Sequence, residues 1–125
     1  MILSDEEIRL LDNLQLNIMM TRYICKLHEG YELVEREEYS ILEFDDGNSY
    51  TSAIVYDYCE DSSITYPLLV ENNISLLFFP DDLVIAAYDD NTVSLSFEDN
   101  KKHSLRAAVI VYLKLKGQFE VSENE

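Results

Sequence analysis

The chain has 125 residues, enough for one domain with a sizeable core, and its 47% hydrophobic content excludes a disordered chain. Nine basic groups stand against 25 acidic ones, a formal net charge of −16, so contact with nucleic acid or an anionic membrane starts from repulsion. That charge exceeds the magnitude of about 2–8 that keeps a small domain soluble, and its self-repulsion lowers stability, so a cationic partner is expected.

Met1-Ile2-Leu3-Ser4-Asp5 has neither the basic start nor the apolar run of a signal peptide. No apolar run nears the roughly 20 residues of a membrane-spanning helix. A cytoplasmic protein without membrane association is the expectation. Ser4 and Glu7 have the spacing of a capping box, and Asp5, Glu6 and Glu7 suit the positive end of a helix dipole. Ile8, Leu11, Leu14 and Ile18 follow at helical spacing, joined by Leu16, Met19, Met20, Tyr23, Ile24 and Leu27. Lys26 and His28 fit a last turn and Gly30 the position beyond it, which predicts one long helix over 5–28. The two methionines read as core filling.

Tyr31–Arg36 is ambiguous between a short strand and a loop. Tyr39–Phe44 reads as a strand, Asp45-Asp46-Gly47-Asn48-Ser49 as a turn, and Tyr50–Tyr58 as the second arm of a hairpin. Cys59–Ser63 reads as a loop. Pro67 limits Ile64–Val70 to an edge strand or an irregular crossing. Ile74–Phe79, Leu83–Tyr88 and Thr92–Glu98 read as further strands, separated by Pro80-Asp81-Asp82 and Asp89-Asp90-Asn91. Over 105–116 the pattern admits a helix or a strand. Ser104 as a cap, Lys114 and Lys116 near the end and Gly117 beyond favour the helix. Ser122–Glu125 is expected to fray. The whole reads as a single domain, 1–125, of α+β class: an N-terminal helix, an antiparallel meander of five or six strands and a C-terminal helix.

Residues 37–100 hold 15 acids and no Lys, Arg or His, so they carry −15 of the −16. No motif for catalysis stands out. The three glycines, Gly30, Gly47 and Gly117, each fall where a turn or cap uses one, so no phosphate-cradling loop is expected. His28 and His103 are far apart in sequence, and no zinc-type Cys/His cluster occurs. Asp45–Ser49 lacks the ligand spacing of an EF-hand. Cys25 and Cys59 have no paired spacing and read as reduced thiols in or near the core. No enzyme activity, metal or cofactor is expected.

The acidic pairs fall in turns, and a meander brings alternate turns to one end of the sheet, where their potentials add. Six tyrosines share the segment: Tyr39, Tyr50, Tyr56, Tyr58, Tyr66 and Tyr88. Tyr suits an interface because it joins a broad apolar ring to a polar tip. The expected contact residues are Asp45, Asp46, Asp57, Tyr58, Glu60 and Asp61, with Asp81, Asp82, Asp89 and Asp90 as a second group. The chain is expected to inhibit a basic protein, a toxin or nuclease, by placing carboxylates where phosphates bind. In size, charge and want of motifs it resembles small acidic antidotes of bacterial toxins and phage proteins that block host defence nucleases. That likeness is of class only and implies no particular residues. The alternative is an adaptor or subunit of a larger complex, in contact through a sheet edge or the N-terminal helix.

Overall fold

Two capping boxes divide the N-terminal apolar stretch. The computed structural model describes residues 3–119. Ser4 caps helix α1 (Asp5–Arg9): its Oγ accepts from Glu7 N–H, and the Glu7 carboxylate accepts from Ser4 N–H. Asp12 and Gln15 repeat the exchange and open helix α2 (Asn13–Ile24). The expected single helix over 5–28 is therefore two. The second box satisfies orphan amides that a continuous helix would have bonded to its own carbonyls. Lys26, at φ 54°, takes the left-handed position beyond α2 that was expected of Gly30. Gly30 serves close approach instead. A Cβ there would come within 2.9 Å of His28 Cε1 and 3.0 Å of Phe44 Cε1.

Six strands form two antiparallel sheets rather than one meander. The first sheet has the order β1 (Glu32–Glu35), β2 (Ser40–Asp45), β3 (Tyr50–Val55). The second has the order β4 (Ser75–Phe79), β5 (Leu83–Asp89), β6 (Ser94–Asn100). Helix α3 (Ser62–Glu71) divides them, in the stretch where Pro67 argued for an edge strand or an irregular crossing. Asp61 caps it through Ser63 N–H, and Thr65 and Leu69 are buried one turn apart. Those two anchors outweigh the amide that Pro67 lacks. A 3-10 turn, Lys101–His103, leads into helix α4 (Ser104–Leu115), the C-terminal helix expected; Ser104 is its first residue rather than its cap. The tail Ser122–Glu125 lies outside the described residues.

Every residue of α4 from Arg106 to Leu113 is buried, as fits a helix apolar on nearly all sides. It packs on β5 and β6, with α2 and α3 against its other flanks. Ala86 and Phe97 from the second sheet, Leu16 and Met20 from α2, and Leu69 from α3 complete the core. Ile41 and Leu42 of the first sheet are buried but stand apart from that cluster. The first sheet is a satellite, joined to the body mainly through α2 against β3. Asn17 ties the two: its Nδ2 donates to Asp57, and its Oδ1 accepts from Cys59 N–H. No helix among the described residues is long and apolar enough to cross a membrane.

Candidate functional site

Each three-stranded sheet has only two turns, and they lie at opposite ends. The expected gathering of acidic pairs at one end therefore does not occur. Asp45 and Asp46 sit at the turn before β3, whereas Asp57, Glu60 and Asp61 follow its far end. The six residues between span roughly 20 Å. Asp81-Asp82 precede β5, and Asp89-Asp90 end it. Tyr58 is buried, so its ring belongs to the core and gives a partner little to touch.

Several of these acids have local work. Asp45 accepts from Gly47 N–H, and Asp46 from the N–H groups of Asn48 and Ser49. Asp89 accepts from Asn91, and Asp90 from Thr92 and Val93. The β2–β3 and β5–β6 turns are thus built alike, with Gly47 and Asn91 at positive φ. Asp57 holds Asn17, and Asp61 caps α3. Asp81 and Asp82, both at positive φ and exposed, are not fixed by any such bond among the described residues.

What the acids lack is cations. Among the described residues the ion pairs are Lys114 with Asp5 at 2.7 Å and Arg106 with Asp99 at 3.8 Å. Of the fifteen acids between 37 and 100, only Asp99 is so engaged, and thirteen are exposed, Glu43 and Asp99 being half-buried. Three of the four arginines give donors to backbone carbonyls. Arg9 donates to Glu98 O and lies over the Phe97 ring. Arg22 donates to the carbonyls of His28 and Tyr31. Arg106, buried, donates to the carbonyls of Arg9 and Leu11 and to Asn13 Oδ1. Arg9, Arg22 and Arg106 thus serve backbone packing more than the neutralising of acids.

One face gathers aromatic rings. By register, Val34, Ile41 and Ile54 form one cross-strand row of the first sheet, and Glu32, Glu43 and Ser52 the next. Asp45 and Tyr50 share that face, as strand alternation requires. Tyr39 and Tyr56 extend it beyond the strand ends. The opposite face carries Leu42 and Phe44 and turns inward, where His28 and Tyr31 pack on Phe44. The outward face has no protein layer over it among the described residues. Tyr39, Tyr50, Ile54 and Tyr56 are about half exposed, at 50%, 54%, 45% and 48%, above a buried Ile41. Arg36, Tyr39, Ile41, Tyr50, Ser52 and Ile54 line a groove of about 570 Å³ across it. Tyr50 Oη donates to Glu43 at 3.0 Å, which fixes the ring and raises its pKa because the bond favours the neutral phenol. Glu32, Glu43 and Asp45 lie on the face, and Glu37 and Glu38 on the β1–β2 loop at its end. Sequence reasoning placed these tyrosines near the acids but missed the face, since only the β1–β2–β3 register aligns them.

A second cleft, about 460 Å³, brings Asp99, His103 and Arg106 together beside Asp12 and Asn13. These are residue types that enzymes use, but Arg106 has its donors committed to the chain itself. Among the described residues no three His, Cys, Asp or Glu side chains converge as metal ligands. Cys25 is exposed and Cys59 buried, both as free thiols, and burial pushes the Cys59 thiol up to about 12. Compared with known protein families, curated proteins and solved structures, the chain matches none of them.

Proposed function

We propose that the chain is a non-enzymatic acidic protein that binds a basic protein and blocks it. The partner fitting best is one whose own ligand is a polyanion, a toxin or nuclease, with carboxylates of this chain standing where phosphates bind. The observation that carries the reading is the outward face of β1–β3. Half-exposed tyrosines and Ile54 surround a groove there, and carboxylates without cations border it. Rings desolvate and anchor, while the surrounding charge steers approach and selects the sign of the partner. Arg36, in the same groove, gives that partner one place for an acceptor.

The test begins with capture on the immobilised protein at low salt and elution by rising salt. A recurrent basic protein is expected, with an affinity that falls steeply as salt rises. Reversing Glu32, Glu37 and Glu38 to Lys should slow its association about tenfold or more at low salt and leave dissociation nearly unchanged. These three are exposed and carry no turn or cap, unlike Asp57 and Asp61, so the variant tests charge without disturbing the fold. A salt-independent affinity would instead favour the adaptor reading, in which an apolar contact holds the complex and acidity is incidental.

A further inference from the structure

The strand edges of this protein are guarded unequally. Along β6, Lys114 Nζ donates to Ser96 O at 2.8 Å and Arg9 donates to Glu98 O at 2.7 Å, so cationic side chains occupy two carbonyls of its outer edge. The edge strand β1 carries Glu32 and Glu35 in a run of four, and charge deters a second strand. β4 is the other edge of the second sheet and has neither defence. Its five residues, Ser75-Leu76-Leu77-Phe78-Phe79, include no charge and no proline. Leu77, Phe78 and Phe79 are 46%, 59% and 39% exposed. Its outer edge is unpaired among the described residues.

Acids stand at both ends of this apolar edge. Asp81 and Asp82 follow Phe79 after the single residue Pro80. At the other end Ser75 pairs with Ala87, two residues before Asp89 and three before Asp90, and Glu71 lies four residues upstream of Ser75. The apolar stretch between the two anionic ends is about 17 Å long. The two Asp pairs that the fold pulls apart thus bracket one strand.

We propose that the free edge of β4 takes up an extended segment of a cationic partner by strand addition. The segment has an apolar core of about five residues and Lys or Arg at both ends. Its backbone completes the β4 edge, its core side chains lie beside Leu77 and Phe79 on one face or Leu76 and Phe78 on the other, and its end cations meet the two acidic groups. A second copy of this chain is the wrong occupant. Antiparallel pairing of two β4 strands sets acids against acids at both ends, between molecules of charge −16. The sign of the partner rests on the acidic-binder reading; the strand contact rests on the edge itself.

The experiment uses the full chain and a synthetic peptide with a Thr/Val core and lysines at both ends. Amide hydrogen exchange, read residue by residue, is expected to show new protection in 75–79. Methylating every core amide of the peptide removes its donors, and Leu77→Lys places a charge on the edge. Each should weaken binding about tenfold or more, since several hydrogen bonds of modest strength are lost together. The methylated peptide needs no change in the protein, so a folding defect in Leu77→Lys does not compromise the result. A glutamate-ended peptide should not bind. Equal binding of the methylated or a scrambled peptide, protection outside β4, or no binding overturns the proposal. So does a dimer in sedimentation that Leu77→Lys dissolves. No natural partner enters this test, so its failure leaves the tyrosine-face reading standing, and failed capture of a basic protein leaves the strand edge standing.

Discussion

Asp46 and Asp90 occupy equivalent positions in two hairpin turns. The Asn48 and Ser49 amides hold the Asp46 carboxyl below the usual carboxylate range; Val93, Thr92 and the Tyr88 hydroxyl do so for Asp90. Each bond favours the ionised form, so the unfolded chain binds more protons at these sites than the folded one. Their contribution is complete above the unfolded value, about 3.9, and is lost as pH falls through the lower folded values. An Asn at either site offers the same amide acceptor without titrating. The double variant Asp46→Asn, Asp90→Asn should therefore lose less stability than the parent between about pH 5 and pH 2. Urea midpoints measured across that range check it; parallel curves for the two proteins would contradict the assignment.

At the scale of elements, Pro67 is the sharpest test of why α3 is a helix. It is the sixth residue of that helix, so it withholds a bond from the Ser63 carbonyl and sets its ring against it. Burial of Thr65 and Leu69 holds the helix in spite of this. Pro67→Ala should stabilise the protein by about 1–3 kcal/mol, measured by denaturant unfolding, because Pro67 is exposed and its loss empties no core space. A loss of stability would mean that the proline fixes the entry to β4. The same residue explains what was legible in the chain and what was not. Turn chemistry located the β2–β3 and β5–β6 hairpins closely, since Asp-Asp-Gly and Asp-Asp-Asn act through bonds of a few residues' reach. The C-terminal helix was legible through its termination signals. Strand addition order was not: once 62–71 is a helix, six strands become two sheets, and no local pattern records that. The break at Asp12 was present as Asp12 and Gln15 but hidden by an apolar spacing that continues across it. The tyrosine face needed the cross-strand register, and so remained invisible among six scattered tyrosines.

For the whole molecule, charge acts with opposite sign on folding and on binding. A net −16 with two ion pairs among the described residues means that repulsion exceeds attraction in the folded state. Sodium chloride screens exposed charges beyond about 10 Å at 0.1 M. It should therefore raise the melting temperature of the free protein, by several degrees between about 0.02 M and 0.5 M, since about 1 kcal/mol moves a domain of this size by roughly 4 °C. Sulfate is unsuitable for this measurement because it also strengthens apolar burial. Replacing Glu37, Glu38 and Asp82 with their amides should raise the melting temperature at low salt and shrink the rise that salt produces. Binding of a cationic partner should weaken over the same range, because the repulsion that salt relieves in the free chain is what such a partner neutralises. Calorimetry of the free protein and titration of the complex in one salt series separate the outcomes. A melting temperature that falls with salt would show that favourable pairs dominate the fold. The acidity would then be a device of stability rather than a surface held ready for an opposite charge.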